Sequence, residues 1–483
     1  MTEDRPAEGE RPHDPHFPEK FLEFMRGGWA DSPLDVLTLP QSVNYARRRD
    51  QLSAAFPGEN LVIPTGGEKT RANDTTYPFR PGTDFFWLTG EHDPESVLIL
   101  RATASGHESV LYVRPRSPKD TDAFFRNAMH GELWVGRRHT LAEKTAELGV
   151  ETADLSGLEA ALADLAPGRT RVLRTFDEAV DKAILPVGDG SRDTELAKVL
   201  SELRLPKDEW EIAQLQDACD ITVRGFEDVA RILPADRSVS ERLLEGIFAL
   251  RARHDGNDLG YGSIVGNGPH ATILHWTRNN GQTNPGDLIL MDMGAENHNL
   301  YTADVTRTLP VNGRFSPLQR QVYDVVYASQ QAGIDVIKPG VEWTEIKNTC
   351  NRVLAEGLYD LGVLPGTVEE ALDPEAQYFR RWTLHGFGHM LGLDVHDCAN
   401  ASKENYHEGK LDTGYVLTVE PGLYFQAEDE LVPAELRGVG IRIEDDILVT
   451  DSGSVNLSGG LPRTSAEVET WLGEQREAGP RLP

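Results

Sequence analysis

Three histidines and three glycines fall within the thirteen residues HGFGHMLGLDVHD, positions 385–397. His385, His389 and His396 are of a type that can ligate a metal, move a proton or simply hydrogen-bond within a loop. The i, i+4 spacing of His385 and His389 would put both on one helix face, as in HExxH zinc sites. Gly386 stands where that motif has glutamate, and Gly388 weakens a helix further. A helical zinc site is therefore excluded, and the histidines need partners from elsewhere in the chain.

Four acids are candidates. Asp292 lies inside the apolar run LILMDMG, where an unpaired carboxylate is costly to bury. Asp304 follows in LYTADVTRT, on an expected partner strand, and a loop around 296–299 would bring both carboxylates to one face. Glu420 in VLTVEPG and Glu444 in GIRIEDD repeat the arrangement. Taken singly, each has a plain reading. Asp292 and Glu420 suit turns, Asp304 and Glu444 are ordinary strand acids, and His389 is a hydrogen-bonded loop histidine. Taken together, four clustered acids repel one another unless cations compensate them. Four carboxylates and an imidazole form a hard ligand set suited to Mn(II), Co(II) or Fe(II), with zinc also admissible. Two such ions about 3.5–4 Å apart can activate a water and polarise a carbonyl. The remaining histidines would then bind substrate and move protons. The chemistry implied is hydrolysis.

A chain of 483 residues exceeds the roughly 250–300 at which one core stops growing, so two domains are expected. Residues 1–30, acidic and proline-rich at their start, read as a disordered lead. Residues 31–205 read as an α/β domain, in which NLVIPTG, FFWLTG, SVLIL and SVLYVRP alternate with helical stretches near 140–148 and 157–165. A turn at Pro206 opens a second domain, 206–460, of α+β type. Its helices are expected at about 207–233, 240–254, 316–337 and 343–361. Its strand pairs are GDLILMDMG with NLYTADVTRTLPV, and GYVLTVEPGLYF with GVGIRIEDDILVT. Residues 461–483 read as a polar tail or short helix.

With 78 acidic and 48 basic residues, the net charge is −30. Such a field opposes binding to nucleic acid and to anionic membranes. No apolar run approaches the 18 or so residues of a membrane span. Cys219, Cys350 and Cys398 are widely spaced without CxxC, which fits a reducing compartment. A cytoplasmic enzyme is the expectation. The glycines of SIVGNGPH form no GxxxxGK[ST] phosphate loop, and His270 reads as a loop residue.

The ordered strings ILHW, GDLILMDMGAE, YTADVTRTLPVNGRFS, HGFGHMLGLDVHD, VLTVEPGLYF and RGVGIRIEDDILVT resemble aminopeptidase P, the Xaa-Pro aminopeptidases among metallopeptidases of the pita-bread (creatinase/aminopeptidase-like) fold. KTRANDTTYPFRPGTDFFWLTG and GELWVGRRHT resemble that family's N-terminal domain, and the similarity runs from about residue 44 to 460.

The resemblance implies two divalent metal ions, manganese first. Asp292 and Asp304 would hold one and His389 and Glu420 the other, with Asp304 and Glu444 bridging. Glu420 matches the residue that takes the proton from the attacking water. His275 and His385 match substrate-side histidines, and His396 one near the scissile bond. Arg442 matches an arginine behind the carboxylates, where a cation steadies them. Asp74 and Trp134 match an acid and a tryptophan that close the peptide site from a neighbouring subunit, which implies a homo-oligomer, a tetramer rather than a dimer. Peptides with proline at the second position are the implied substrates. Trp276 replaces the tyrosine of bacterial members, a change expected to alter the pocket wall. Alternatives are prolidase, the metal-free creatinase, and non-catalytic peptide- or histone-binding proteins of the same fold. The intact ligand set disfavours the last two.

Overall fold

A computed structural model describes residues 17–483, in two compact units that meet between Leu200 and Ser201. Residues 1–16 of the expected lead lie outside the described residues. The rest of that lead is partly ordered, contrary to expectation. Glu19–Met25 is a helix, and Leu22 packs with Phe124 and Phe125. An apolar surface exists for the leucine to cover, which composition does not reveal.

The N-terminal unit is built on a five-stranded sheet. Val97–Thr103 pairs antiparallel with Asn60–Pro64 on one side and Gly106–Val113 on the other. Thr170–Val172 and Glu151–Asp154 add parallel edges. FFWLTG is helical (Thr83–Thr89) rather than part of the sheet. A short run that is apolar on every side carries no usable period, so a buried helix and a buried strand look alike in the letters. Gly90, at φ 70°, ends it in the left-handed conformation. Helices Leu141–Leu148 and Leu158–Ala163 occupy the expected stretches, the first closed by a capping box between Thr140 and Glu143.

The C-terminal unit places four long helices, Glu209–Ile232, Glu241–Asp255, Pro317–Val336 and Trp343–Asp360, against antiparallel strands. Leu288–Asp292 is the middle strand between Ile264–Asn267 and Thr306–Pro310, with Asp292 opposite Thr306. Ile289 and Met291 belong to the main core, while Leu290 packs with Ile264, Trp276 and Tyr424. The two-residue period puts Asp292 on the side of Leu290, away from the main core.

The second strand pair is not one hairpin, as expected, but two ladders. Val416–Val419 pairs with Asp445–Val449, whereas Gly422–Phe425 pairs with Val439–Arg442. Pro421 interrupts the first chain, because it has no N–H to give a ladder. Both ladders break beside Glu420 and Glu444, so each acid sits at a bend. The opening histidine stretch lies along Val416–Val419. Thr418 N donates to His389 O at 2.8 Å, and Glu420 N to Phe387 O at 2.7 Å. Gly388 permits this approach, since a Cβ there would fall 2.0 Å from Thr418 O.

Of the two readings of residues 461–483, a polar tail or a short helix, the structure shows the helix. Ser465–Ala478 is a helix with a capping box of Thr464 and Glu467, and its Val468 and Leu472 enter the main core. Replacing Leu472 by Ala should cost about 2–5 kcal/mol of stability, as for other buried leucines. Leu482→Ala, at an 81% exposed site, should be silent. Urea unfolding of the two variants checks the contrast, and equal midpoints would return this segment to a tail.

Candidate active site

One cavity of about 420 Å³ in the C-terminal unit is lined by His275, Asp292, Asp304, His385, His389, His396, Glu420, Arg442 and Glu444. All nine residues singled out in this half of the sequence are therefore together. Asp74 and Trp134 are surface residues of the N-terminal unit. Asp74 lies at the turn between strands Thr70–Ala72 and Thr75–Thr76. Trp134 is 56% exposed and its indole donates to Phe125 O at 2.7 Å.

The ladder break brings the ligand candidates into one cluster. Ligand atoms of Asp304, His389 and Glu444 all lie within 4.8 Å of one another. His389 Nε2 is 3.3 Å from Asp304 Oδ2 and 3.8 Å from Glu420 Oε1. Its Nδ1 sits 3.1 Å from Met390 O, and a carbonyl only accepts, so that nitrogen carries the proton. The other ring nitrogen, Nε2, is thereby turned toward the carboxylate oxygens. A proton on Nε2 or a metal ion between the ring and the carboxylates satisfies both.

Burial, Asp292 and Asp446 push the Asp304 carboxyl well above its ordinary range. Burial, Asp304 and Glu420 do the same to Glu444. Burial also pushes Glu420 up, but His385, with His389 and Arg442 behind it, brings it down to about 2. In the protein by itself, then, Asp304 and Glu444 hold their protons more tightly than free carboxyls do, whereas a hard divalent ion would favour their ionised forms. The donor set fits such an ion.

Behind the ligands runs a network that the sequence reading largely missed. Arg442 Nη2 donates to Asp292 Oδ2 at 2.6 Å, Nε to Thr306 Oγ1 at 3.1 Å and Nη1 to the Tyr424 hydroxyl at 2.9 Å. Thr306 Oγ1 passes its own proton to Glu444 Oε2 at 2.7 Å. Having accepted from Arg442, the Tyr424 hydroxyl is free to donate to His385 Nε2, 2.7 Å away. That leaves the His385 proton on Nδ1, 3.3 Å from Glu420 Oε2. Tyr261 places its hydroxyl between two acids, 2.6 Å from Asp292 Oδ1 and 2.5 Å from Asp304 Oδ1. Asp446 Oδ2 accepts from the Asp304 backbone N at 3.0 Å and from Cys219 Sγ at 3.2 Å, and burial lifts its carboxyl to about 7. Thr306 was findable, two residues past Asp304 and so on the same strand face. Tyr261 and Tyr424 left no signal, one being an isolated tyrosine between two glycines and the other lying in an apolar string.

His396 meets His389 edge-on, with ring centroids 4.4 Å apart. Burial and the neighbouring His389 and His275 keep the His396 imidazolium below its ordinary range, so the ring is neutral near pH 7. Trp276 corrects an expectation. Its indole is turned into the packing with Ile264, Leu290 and Tyr424, while Leu274, His275 and Thr277 make the wall. His270 stacks on Trp276 and is not a cavity residue.

A cavity floored by carboxylates, with one imidazole nitrogen aimed into them, is suited to holding a divalent metal ion and to hydrolysis. Residues 213–451 match the metallopeptidase family M24, and residues 45–173 match the aminopeptidase P N-terminal domain. The chain belongs to metallopeptidase family M24, in its aminopeptidase P branch, and its C-terminal unit has the pita-bread fold. It is 49% identical to Xaa-Pro aminopeptidase 1 of Streptomyces coelicolor over 98% of each chain. Among solved structures, aminopeptidase P from E. coli with the inhibitor Pro-Leu is 32% identical, with a TM-score of 0.80 over 90% of this chain and 99% of that one. The zinc-substituted E. coli enzyme in complex with product is 33% identical, also at a TM-score of 0.80 and with the same coverage.

The raised Asp304 and Glu444 carboxyls give a signed prediction for the metal-free protein. In the unfolded chain both ionise near pH 4, at about 3.9 and 4.3. The folded chain holds these protons to higher pH, so stability is lost as pH rises through that window. The thermal midpoint of chelator-treated protein should therefore fall from about pH 5 to 8 on this account. Added Mn(II) should reverse the trend, because its ligands must be deprotonated. A midpoint rising with pH in the metal-free protein would contradict the assignment.

Proposed function

We propose that this chain is an Xaa-Pro aminopeptidase, removing the N-terminal residue from peptides with proline at the second position. The observation that carries this reading is the cluster of acids around His389 Nε2, in a cavity flanked by three further histidines. The names of the full-length relatives agree with it and do not favour prolidase.

The ligand assignment we propose gives Asp292 and Asp304 to one divalent ion, and His389 and Glu420 to a second. Asp304 and Glu444 are shared. Manganese is the first choice and Co(II), Fe(II) and Zn(II) the alternatives, on the hardness of the donors. When bound, the metal supplies Lewis acidity and lowers the pKa of water. Glu420 takes the proton from the attacking water and returns it toward the leaving proline nitrogen. His385, oriented by Tyr424 and Arg442, donates a hydrogen bond to the oxygen that gains charge. His275 and His396 line the side that receives the peptide, and neutral His396 accepts or donates without adding charge.

Asp74 binds the free peptide amine and Trp134 walls the first residue, each reaching the site of a neighbouring subunit in a homo-oligomer, a tetramer by preference. A cytoplasmic, reducing location fits three buried, unpaired cysteines. Among the described residues no helix is long and apolar enough to cross a membrane. For the folded domains we keep limits near 31–205 and 206–460, with the last helix added to the second.

The test offers Xaa-Pro-Xaa, Xaa-Pro and Xaa-Ala-Xaa peptides to chelated and Mn(II)-restored protein. Release of the first residue from Xaa-Pro-Xaa alone, and only with metal, is expected; preference for Xaa-Pro would mean prolidase. Asp304→Ala should lose metal and activity together. His385→Ala should keep its metal while turnover falls about 10²-fold or more. Loss of both ions in that variant would make His385 a ligand. Asp74→Ala should raise KM with metal content unchanged, and a fully active monomer in light scattering would end the shared-site reading.

A further inference from the structure

Glu241 is the first residue of helix Glu241–Asp255 and is completely buried, yet it touches no metal ligand candidate. Four N–H groups converge on its carboxylate. Oε1 accepts from Asn267 N at 2.9 Å and from His270 Nδ1 at 2.8 Å. Oε2 accepts from Trp276 Nε1 at 2.9 Å and from Gly281 N at 2.7 Å. A carboxylate has about four lone-pair sites, so this one is saturated. All four donors belong to the single segment 267–281, which leaves the strand Ile264–Asn267, crosses the cavity wall and returns toward Leu288–Asp292.

The spacing of these anchors gives the arrangement a purpose. His275 is the neighbour of Trp276 and lies between His270 and Gly281. Leu274, His275 and Thr277 face the cavity, while Trp276 points the other way. The His270 ring stacks on the indole with centroids 3.9 Å apart, so two of the four donors also brace each other. Gly281 is required at its position, since a Cβ there would meet His270 Nδ1 at 2.6 Å and Glu241 Oε1 at 2.7 Å. Glu241 N in turn donates to Gly281 O at 3.1 Å, which ties the helix start to the same point. Charge-assisted hydrogen bonds in a buried setting are strong and directional. A wall held this way keeps its place when substrate enters.

We propose that Glu241 is the positioning residue for His275, holding the 267–281 segment so that the imidazole meets the peptide in register. The Trp276 indole is part of that device and explains why tryptophan is accommodated next to a substrate-side histidine. The inference rests on the aminopeptidase reading for its kinetic arm, but its structural arm does not.

Glu241→Gln keeps the shape and removes half of the acceptor capacity, because the amide nitrogen would face two N–H donors. In the full-length, metal-loaded enzyme, kcat/KM for an Xaa-Pro-Xaa peptide should fall about 10–100-fold, the scale of a displacement near 1 Å. Metal content should not change. In a His275→Ala background the same substitution should have little further effect, because Glu241 acts through that ring. Hydrogen exchange should quicken across 268–281 and stay unaltered in Leu288–Asp292. Trp276→Phe, which removes one donor, should show a smaller loss in the same direction and serves if Glu241→Gln does not fold. Unchanged kinetics, full additivity with His275→Ala, or loss of metal would overturn the proposal. If the wild-type protein does not cleave such peptides, the function assigned above fails instead, and unchanged exchange at 268–281 would then refute Glu241 independently.

Discussion

Mutual repulsion among buried carboxylates is the constraint on which the C-terminal unit depends. Asp292, Asp304, Glu420 and Glu444 converge on one cavity, with Asp445 and Asp446 immediately behind. In a medium of low polarity, each unpaired charge costs several kcal/mol. Two buried arginines relieve part of this. Arg442 pairs with Asp292 at 2.6 Å, and Arg307 with Asp445 at 2.7 Å. The remainder must be met by bound cations or by protons, as the raised Asp304 and Glu444 carboxyls indicate. A protein surface would dissipate such charge in water. An interior site preserves it, which suits the site to hard cations.

The strands are arranged to serve that concentration of charge. Asp292 ends a central strand, Glu420 precedes a proline that ends a ladder, and Glu444 falls where its chain moves from one ladder to the other. Acids at the ends and bends of strands have side chains free of the packing between sheet and helices. Arg307 joins the layers further, donating to Thr306 O and to Glu444 O at 2.9 and 2.7 Å. The last helix closes this same core with Val468 and Leu472.

The histidines separate into roles by what their second nitrogen touches. His389 donates from Nδ1 to a backbone carbonyl, which turns Nε2 toward the carboxylates. His385 is held by a tyrosine hydroxyl and turns Nδ1 toward Glu420. The two rings are four residues apart in one short stretch, yet the neighbouring strand and Tyr424 assign them different chemistry. His275 stands on another segment altogether, fastened through Trp276 to Glu241.

Residue types and order singled out the four acids and the three clustered histidines, because ligand chemistry restricts which side chains can serve, and the family resemblance added His275 and Arg442; all nine line one cavity. Residue order also revealed the long helices, whose apolar period survives in the letters. Tertiary structure alone decided the two-ladder exchange at Pro421, the helical form of FFWLTG, the ordered helix at 19–25, the packing of the 465–478 helix into the core, and the inward turn of Trp276. Each depends on which surface a segment finds to pack against, and a linear sequence does not contain that surface. Tyr261, Tyr424, Asp446 and Glu241 were unreadable for the same reason. Their hydrogen-bond partners lie 31, 39, 142 and up to 40 residues away. An isolated tyrosine or acid acquires meaning only when the fold brings those partners within 3 Å or so.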